Sequence, residues 1–330
     1  MARSMIGPPN HEYYQPLPPP SHPREVPLIE ASVFVSDAQL LQMLGGLSDF
    51  AFAQVLDEHS VILIPREYIR DDPEQLLRRE PSALCCFRTC IAYELLGKDH
   101  PNIARYISRD AWTGFPILAR PTGPPLEVFL DKHRSKMFSS SSSEVNTTYL
   151  PLVLNWALQV LSGLAFIHSH ENFYYKDLSI YNCWLSSDLS LSLIVFLNAD
   201  FRDQQGCLHA GFGSFRGPTL RLTRIKPHAS VKSDLFDWAT FVYTLMTNKE
   251  PERDPFNAYL DVPKQIRAKD YPQLSEHLMG KIVRKCWLQE YQNAMDVRRD
   301  VAAFLLDSGF EVDGDGIRGF VPANIPDIST

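Results

Sequence analysis

Asp177 precedes Asn182 by five residues in the run Tyr175-Lys176-Asp177-Leu178-Ser179-Ile180-Tyr181-Asn182, which follows a long apolar stretch. A carboxylate and an amide carried by one loop at this spacing can face the same cleft. The carboxylate can orient a hydroxyl or accept its proton. The amide oxygen can help hold a divalent metal against phosphate oxygens. Lys176 adds a cation beside the carboxylate. The spacing alone is common in loops, and the same two side chains can instead hydrogen-bond the backbone and hold the loop's shape. The surrounding elements decide how the motif is read.

Residues 150–167 repeat Leu152, Leu154, Trp156, Ala157, Val160, Leu161 and Leu164 at helical spacing, interrupted by Pro151, Asn155 and Gln159. That pattern predicts a buried core helix and not a membrane span. Upstream, 51–56 and 61–65 flank Asp57-Glu58-His59 and predict a β-hairpin. Residues 82–96, preceded by Pro81 and closed by Gly97, predict a helix. Two further strands are expected over 103–107 and 115–119. Pro121, Gly123, Pro124 and Pro125 then break the regularity and mark a boundary. The serines of 139–143, within 135–148, predict a flexible surface insertion. Short strands follow around 182–185 and 191–196, then an irregular polar stretch over 200–232. Helices are expected over 233–246, 276–287 and 294–306. The chain therefore reads as α+β, a small β-rich lobe followed by a larger helical one, with the cleft between them as the ligand site.

In that setting the motif resembles the catalytic loop of the protein kinase family. Q-V-L-S-G-L-A-F-I-H at 159–168 followed by Y-K-D-L-S-I-Y-N-C-W-L at 175–185 looks like the family's helix and catalytic loop. S-V-K-S-D-L-F-D-W at 230–238 resembles the start of its buried central helix, and Lys285-Cys286-Trp287 its late helical pair. H-P-N-I-A-R-Y at 100–106 looks like the turn and strand after its mobile N-lobe helix. The blocks come in the family's order across residues 29–308 and are most similar to divergent kinase-like proteins of filamentous fungi.

The resemblance implies a two-lobed serine/threonine kinase fold, with an N-lobe at 29–119, a C-lobe at 120–308 and a C-terminal tail at 309–330. It implies Asp177 as base, Asn182 as a metal ligand, and Lys176 and Tyr175 where the family often has Arg and His. Asp234 matches a buried carboxylate that hydrogen-bonds the catalytic-loop backbone.

Several parts depart from the family. Of its glycine-rich loop only Gly45 and Gly46 remain, and Asp49 adds a negative charge there. The stretch is either a degenerate phosphate cradle or an ordinary β-turn. Ile64 stands where the phosphate-pairing lysine belongs; no lysine precedes Lys98, and Arg66 falls after the strand. The helix glutamate is due at 89–91; Glu94 is the only nearby acid and lacks that lysine as partner. Val195 stands where the family has its metal-binding Asp, followed by the matching Phe196. Asp200 is either a displaced metal ligand or a surface carboxylate. Arg216, Arg221, Arg224, Lys226 and Lys232 form a basic strip, with His228 near the place of a family glutamate. The strip is either a dock for an acidic or phosphorylated partner or a solvated loop.

Ile64 and Val195 replace the two groups that neutralise and clamp ATP–Mg. The expectation is therefore a pseudokinase, a regulatory or scaffolding module that binds protein partners. The alternative is an unorthodox active kinase using Asp177, with Asn182 and Asp200 on the metal. ATP and Mg²⁺ are cofactors only in that alternative. A small-molecule kinase, and an interaction protein built around the proline-rich leader, are further readings.

Composition narrows the classes. The 330 residues are 45% hydrophobic and 22% charged, with a formal net charge of -7, which argues against a nucleic-acid binder. Cys85, Cys86, Cys90, Cys183, Cys207 and Cys286 contain no C-x-x-C pair, so buried free thiols are expected and neither a zinc site nor a disulfide framework. Residues 1–28 hold eight prolines and no apolar core of a signal peptide. They read as a disordered leader or a polyproline ligand. The expected setting is intracellular, cytoplasmic or nuclear, without membrane association.

Overall fold

The structure, a computed structural model, describes residues 46–47, 51–65, 82–138, 144–176, 178–211, 229–249 and 271–321. It is a mixed α+β protein with small antiparallel sheets and, among the described residues, six α-helices.

The N-terminal sheet has the order β1-β2-β3-β5-β4. Its strands are β1 (Gly46–Leu47), β2 (Ala51–Val55), β3 (Ser60–Pro65), β4 (Tyr106–Arg109) and β5 (Pro116–Ala119). The β2–β3 hairpin closes where expected. Asp57 accepts the His59 amide at 2.7 Å, which tightens the turn. β2 alternates, burying Ala51 and Ala53, whereas the central β3 is buried along nearly its whole length. Helix α1 (Ser82–Leu96) packs on β3 and β5 and ends at Gly97, whose φ of 61° and amide bond to the Tyr93 carbonyl close the helix.

Strand β4 starts at Tyr106, later than the expected 103. Residues 102–104 are already committed elsewhere. The Ala104 amide bonds the Leu193 carbonyl at 2.7 Å, and the Leu193 amide bonds the Asn102 carbonyl at 2.9 Å. This turn fastens the sheet to the hairpin of β6 (Cys183–Leu185) and β7 (Leu191–Leu193).

The helical part starts with α2 (Leu126–Met137) after Pro125, and α3 (Leu150–His168) follows. By length and composition α3 could cross a membrane, yet it is mostly buried inside the protein. Its three buried polar side chains, Asn155, Gln159 and Ser162, follow i, i+4, i+7 spacing and share one face. Gln159 Oε1 accepts the Leu191 amide at 2.8 Å, and the indoles of Trp156 and Trp238 donate to the Leu189 and Ala157 carbonyls. The interruptions that spoil a membrane span are thus sockets for other segments.

Helix α4 (Val231–Thr247) starts at a capping box, with Ser230 Oγ accepting the Ser233 amide and Ser233 Oγ accepting the Ser230 amide. The helix expected over 276–287 is split. Met279 adopts a left-handed φ of 66°, which separates a short 3-10 turn (Glu276–Leu278) from α5 (Gly280–Trp287). Helix α6 (Ala294–Asp307) is capped by Asn293 and tied to α5 through Asp300, which accepts from both Lys285 and Tyr291.

Part of the stretch read as irregular is a hairpin of β8 (Phe201–Arg202) and β9 (Leu208–His209), its turn held by Asp203. Beyond α6, β10 (Val312–Asp313) and β11 (Gly316–Ile317) form a further hairpin within the expected tail. All six cysteines are free; five are buried and Cys207 is exposed, which corrects the expectation that all are buried. The leader and the serine run at 139–143 lie outside the described residues.

Candidate functional site

The site is organised by Asp234, in the first turn of α4. Its Oδ2 accepts the Tyr175 amide at 2.8 Å and its Oδ1 the Lys176 amide at 2.9 Å. His168 Nε2, from the end of α3, meets Oδ2 at 2.8 Å. The carboxylate is 1% exposed, and such a group persists in a core only when it is satisfied in this way. The hub joins α3, α4 and the loop that carries the motif. Between its two bonds Lys176 is held at φ 61°, a region an L-residue enters at a cost of about 1–2 kcal/mol. Capping draws Asp234 to that position, because the Ser230–Ser233 box starts α4 at Val231 and so puts Asp234 in its first turn.

Asp177 lies outside the described residues. So do Gly45, Asp49, Arg66, Arg216, Arg221, Arg224, Lys226 and His228. Gly46 pairs with Phe52 in the β1–β2 ladder.

Asn182 is buried at the end of a 3-10 turn (Ile180–Asn182), and its carbonyl accepts the Ile194 amide at 3.2 Å. This bond sets the loop beside the next segment. Ile194, Val195, Phe196 and Leu197 are all fully buried. Ile64 is partly buried against the core in β3. Neither position offers a charge.

Asp200 differs from the surface carboxylate considered from sequence. Its Oδ1 lies 2.7 Å from Lys176 Nζ and accepts the Gly211 amide at 2.6 Å. Its backbone exchanges two hydrogen bonds with Tyr174, at 2.8 and 2.9 Å. The ion pair is largely shielded from solvent, with side-chain exposures of 9% and 15%. Gly211 is required there, because a Cβ would lie 2.0 Å from the Asn198 carbonyl oxygen.

Glu94 is also partnered, which corrects the expectation of an orphaned acid. Arg109 reaches it bidentately at 2.6 Å through Nε and an Nη, and the Tyr106 hydroxyl donates at 3.0 Å. Burial pushes the Glu94 carboxyl up, but the bonds from Arg109 outweigh it and hold the group below its ordinary range. Among the positions expected for the helix glutamate, Thr89 is fully buried and donates its hydroxyl to the Cys85 carbonyl.

Two features escaped the sequence reading. One is an aromatic column. Tyr175 meets Phe196 edge-on at 5.7 Å, Phe196 meets Tyr93 at 4.8 Å, and Tyr93 stacks on Tyr106 at 5.2 Å. The Tyr93 hydroxyl donates to the Ile194 carbonyl at 2.9 Å, so the column is bonded to the buried segment as well as packed on it. The other feature is Arg88 of α1, which is buried. It donates to the carbonyls of Ala199 and His209 and lies 5.9 Å from the Phe201 ring centre. A single basic residue in a largely apolar helix was the available signal.

The described contacts thus hold the loop in position. Among the described residues, no group of three or more His, Cys, Asp or Glu stands together to hold a metal ion. The described residues do not fit an ATP–Mg clamp: Ile64 and Val195 are apolar, and one Asp200 oxygen is taken by Lys176 and Gly211. In class this is an α+β protein whose site is a loop held by a buried carboxylate hub. No protein-family model matches the chain, and no curated protein matches it.

Proposed function

We propose that the chain is a two-lobed, kinase-fold regulatory or scaffolding protein, a pseudokinase. The observation that carries the reading is the Asp234 hub. It receives the Tyr175 and Lys176 amides at the two motif positions that the resemblance pairs with it, 59 and 58 residues away in sequence. The loop architecture is therefore supported on geometry. The charge chemistry is not supplied in the same way. Val195 is fully buried, Ile64 packs the core, and Asp200 is neutralised by Lys176.

In phosphoryl transfer a protein contributes mainly positioning and charge stabilisation, and losing one such stabilising group costs about 100–1,000-fold in rate. The proposed activity is therefore binding of protein partners without turnover.

A thermal-shift titration with ATP, with and without Mg²⁺, tests the reading. A ligand that binds only the folded state raises stability by about 2.7 kcal/mol at 100 times its dissociation constant. The expected result is no Mg²⁺-dependent shift at millimolar nucleotide. Phosphate transfer that follows the purified protein and disappears in Asp177→Ala would instead establish the active-kinase alternative.

A further inference from the structure

The chain beyond α6 folds back onto α3. The Ile317 amide donates to Asn155 Oδ1 at 2.9 Å in a buried contact. Gly316 presses on the same side chain, since a Cβ there would lie 2.9 Å from Asn155 Oδ1. From α6, Arg298 donates to the Gly314 carbonyl and pairs with Asp315 at 3.4 Å. Phe310, Val312 and Phe320 pack against the core.

Asn155 belongs to the polar face of α3 described above. One turn on, Gln159 holds the Leu191 amide of β7. Two turns on, Ser162 Oγ meets His100 Nε2 at 3.3 Å. His100 begins the turn that joins the sheet to the helices. Its Nδ1 accepts the Asn102 amide at 3.2 Å, and Asn102 Nδ2 donates to the Leu191 carbonyl at 3.1 Å. Asp315 of the hairpin is near enough to act electrostatically on His100. One helix face thus carries three separate segments.

We infer that the C-terminal hairpin is a conformational brace: docked on Asn155, it fixes the face of α3 from which β7 and the turn at 100–104 are hung. The attachment of the sheet to the helices then depends on residues 310–317. This inference is independent of the kinase-like reading.

Native-state hydrogen exchange on the full chain tests it. The amides of Ala104, Leu191, Leu193 and Ile317 should open in one unit, with the same dependence on denaturant. Ile317→Pro removes the N–H that bonds Asn155 Oδ1. It should speed exchange at Ala104, Leu191 and Leu193 by about tenfold or more, the effect of orphaning a buried acceptor. Asn155→Ala should add little to it, because both changes break one bond. The inference is overturned if Ile317 opens alone at lower energy while the other three amides keep their wild-type rates. The wild-type measurement decides the question if Ile317→Pro does not fold.

Discussion

Replacing Asp234 should damage this protein in a graded way. In Asp234→Ala, the amides of Tyr175 and Lys176 lose their acceptor, and so does His168 Nε2. A buried donor left unsatisfied costs about 1–3 kcal/mol, so the two amides together cost about 2–6 kcal/mol. That is a large share of the about 5–15 kcal/mol by which ordinary domains are stable. Asp234→Asn is milder. Its remaining oxygen can stay at Oδ2, where it serves Tyr175 and His168, and its NH₂ then faces the Lys176 amide. Two donors remain unsatisfied, the Lys176 amide and the new NH₂, against three polar groups in Asp234→Ala, and each costs about 1–3 kcal/mol. Unfolding in denaturant, followed by fluorescence and by circular dichroism, should rank wild type above Asn above Ala with an unchanged slope. The hub argument fails if Ala falls within about 0.5 kcal/mol of wild type, the range of ordinary surface changes. It fails equally if Asn is as damaging as Ala.

Two further outcomes follow from the same geometry. Gly211→Ala drives a methyl to 2.0 Å from a backbone oxygen and pulls the Gly211 amide from Asp200, so a loss of about 1–3 kcal/mol is expected in the same unfolding assay. A neutral result would mean that the 198–211 contact yields freely. Asp300 is held below the ordinary carboxylate range, first by the Tyr291 hydroxyl and then by Lys285. A depressed folded value contributes stability that is present above the ordinary value of about 3.9 and is lost as pH falls through the lowered one. Wild type should thus exceed Asp300→Asn at pH 7 by at most about 1 kcal/mol, since this pair is about one-third exposed. The gap should narrow as pH falls below the ordinary carboxylate value, and a pH-independent gap would contradict the assignment.

The sequence was most legible where local pattern and tertiary demand agree. The apolar repeat of α3, the Asp57 turn and the Gly97 stop each state their structure in neighbouring residues. Asp234 was also legible, because the motif supplied a partner distant in sequence. Glu94 was not: its partner Arg109 arrives from a strand whose register no local pattern reveals. Asp200 was hidden for a similar reason, since its shielding depends on Lys176 adopting a left-handed backbone. The delayed start of β4 came from hydrogen bonds to β7, a competition that strand propensity does not register. The hairpin at 312–317 is only two residues per strand, too short for a periodicity to emerge.

The polar face of α3 also sets an order of events during synthesis. Asn155 and its partner Ile317 are separated by 162 residues, whereas Gln159 meets Leu191 after only 32. At about 5–20 residues per second, roughly 8–30 seconds of translation separate the emergence of Asn155 from that of the amide that satisfies it. Throughout that interval the most apolar segment of the nascent chain carries an uncapped amide on the face it must bury. Completion of this helix's environment therefore waits for residue 317, and a ribosome that stalls before reaching it leaves α3 as the surface for chaperones to cover.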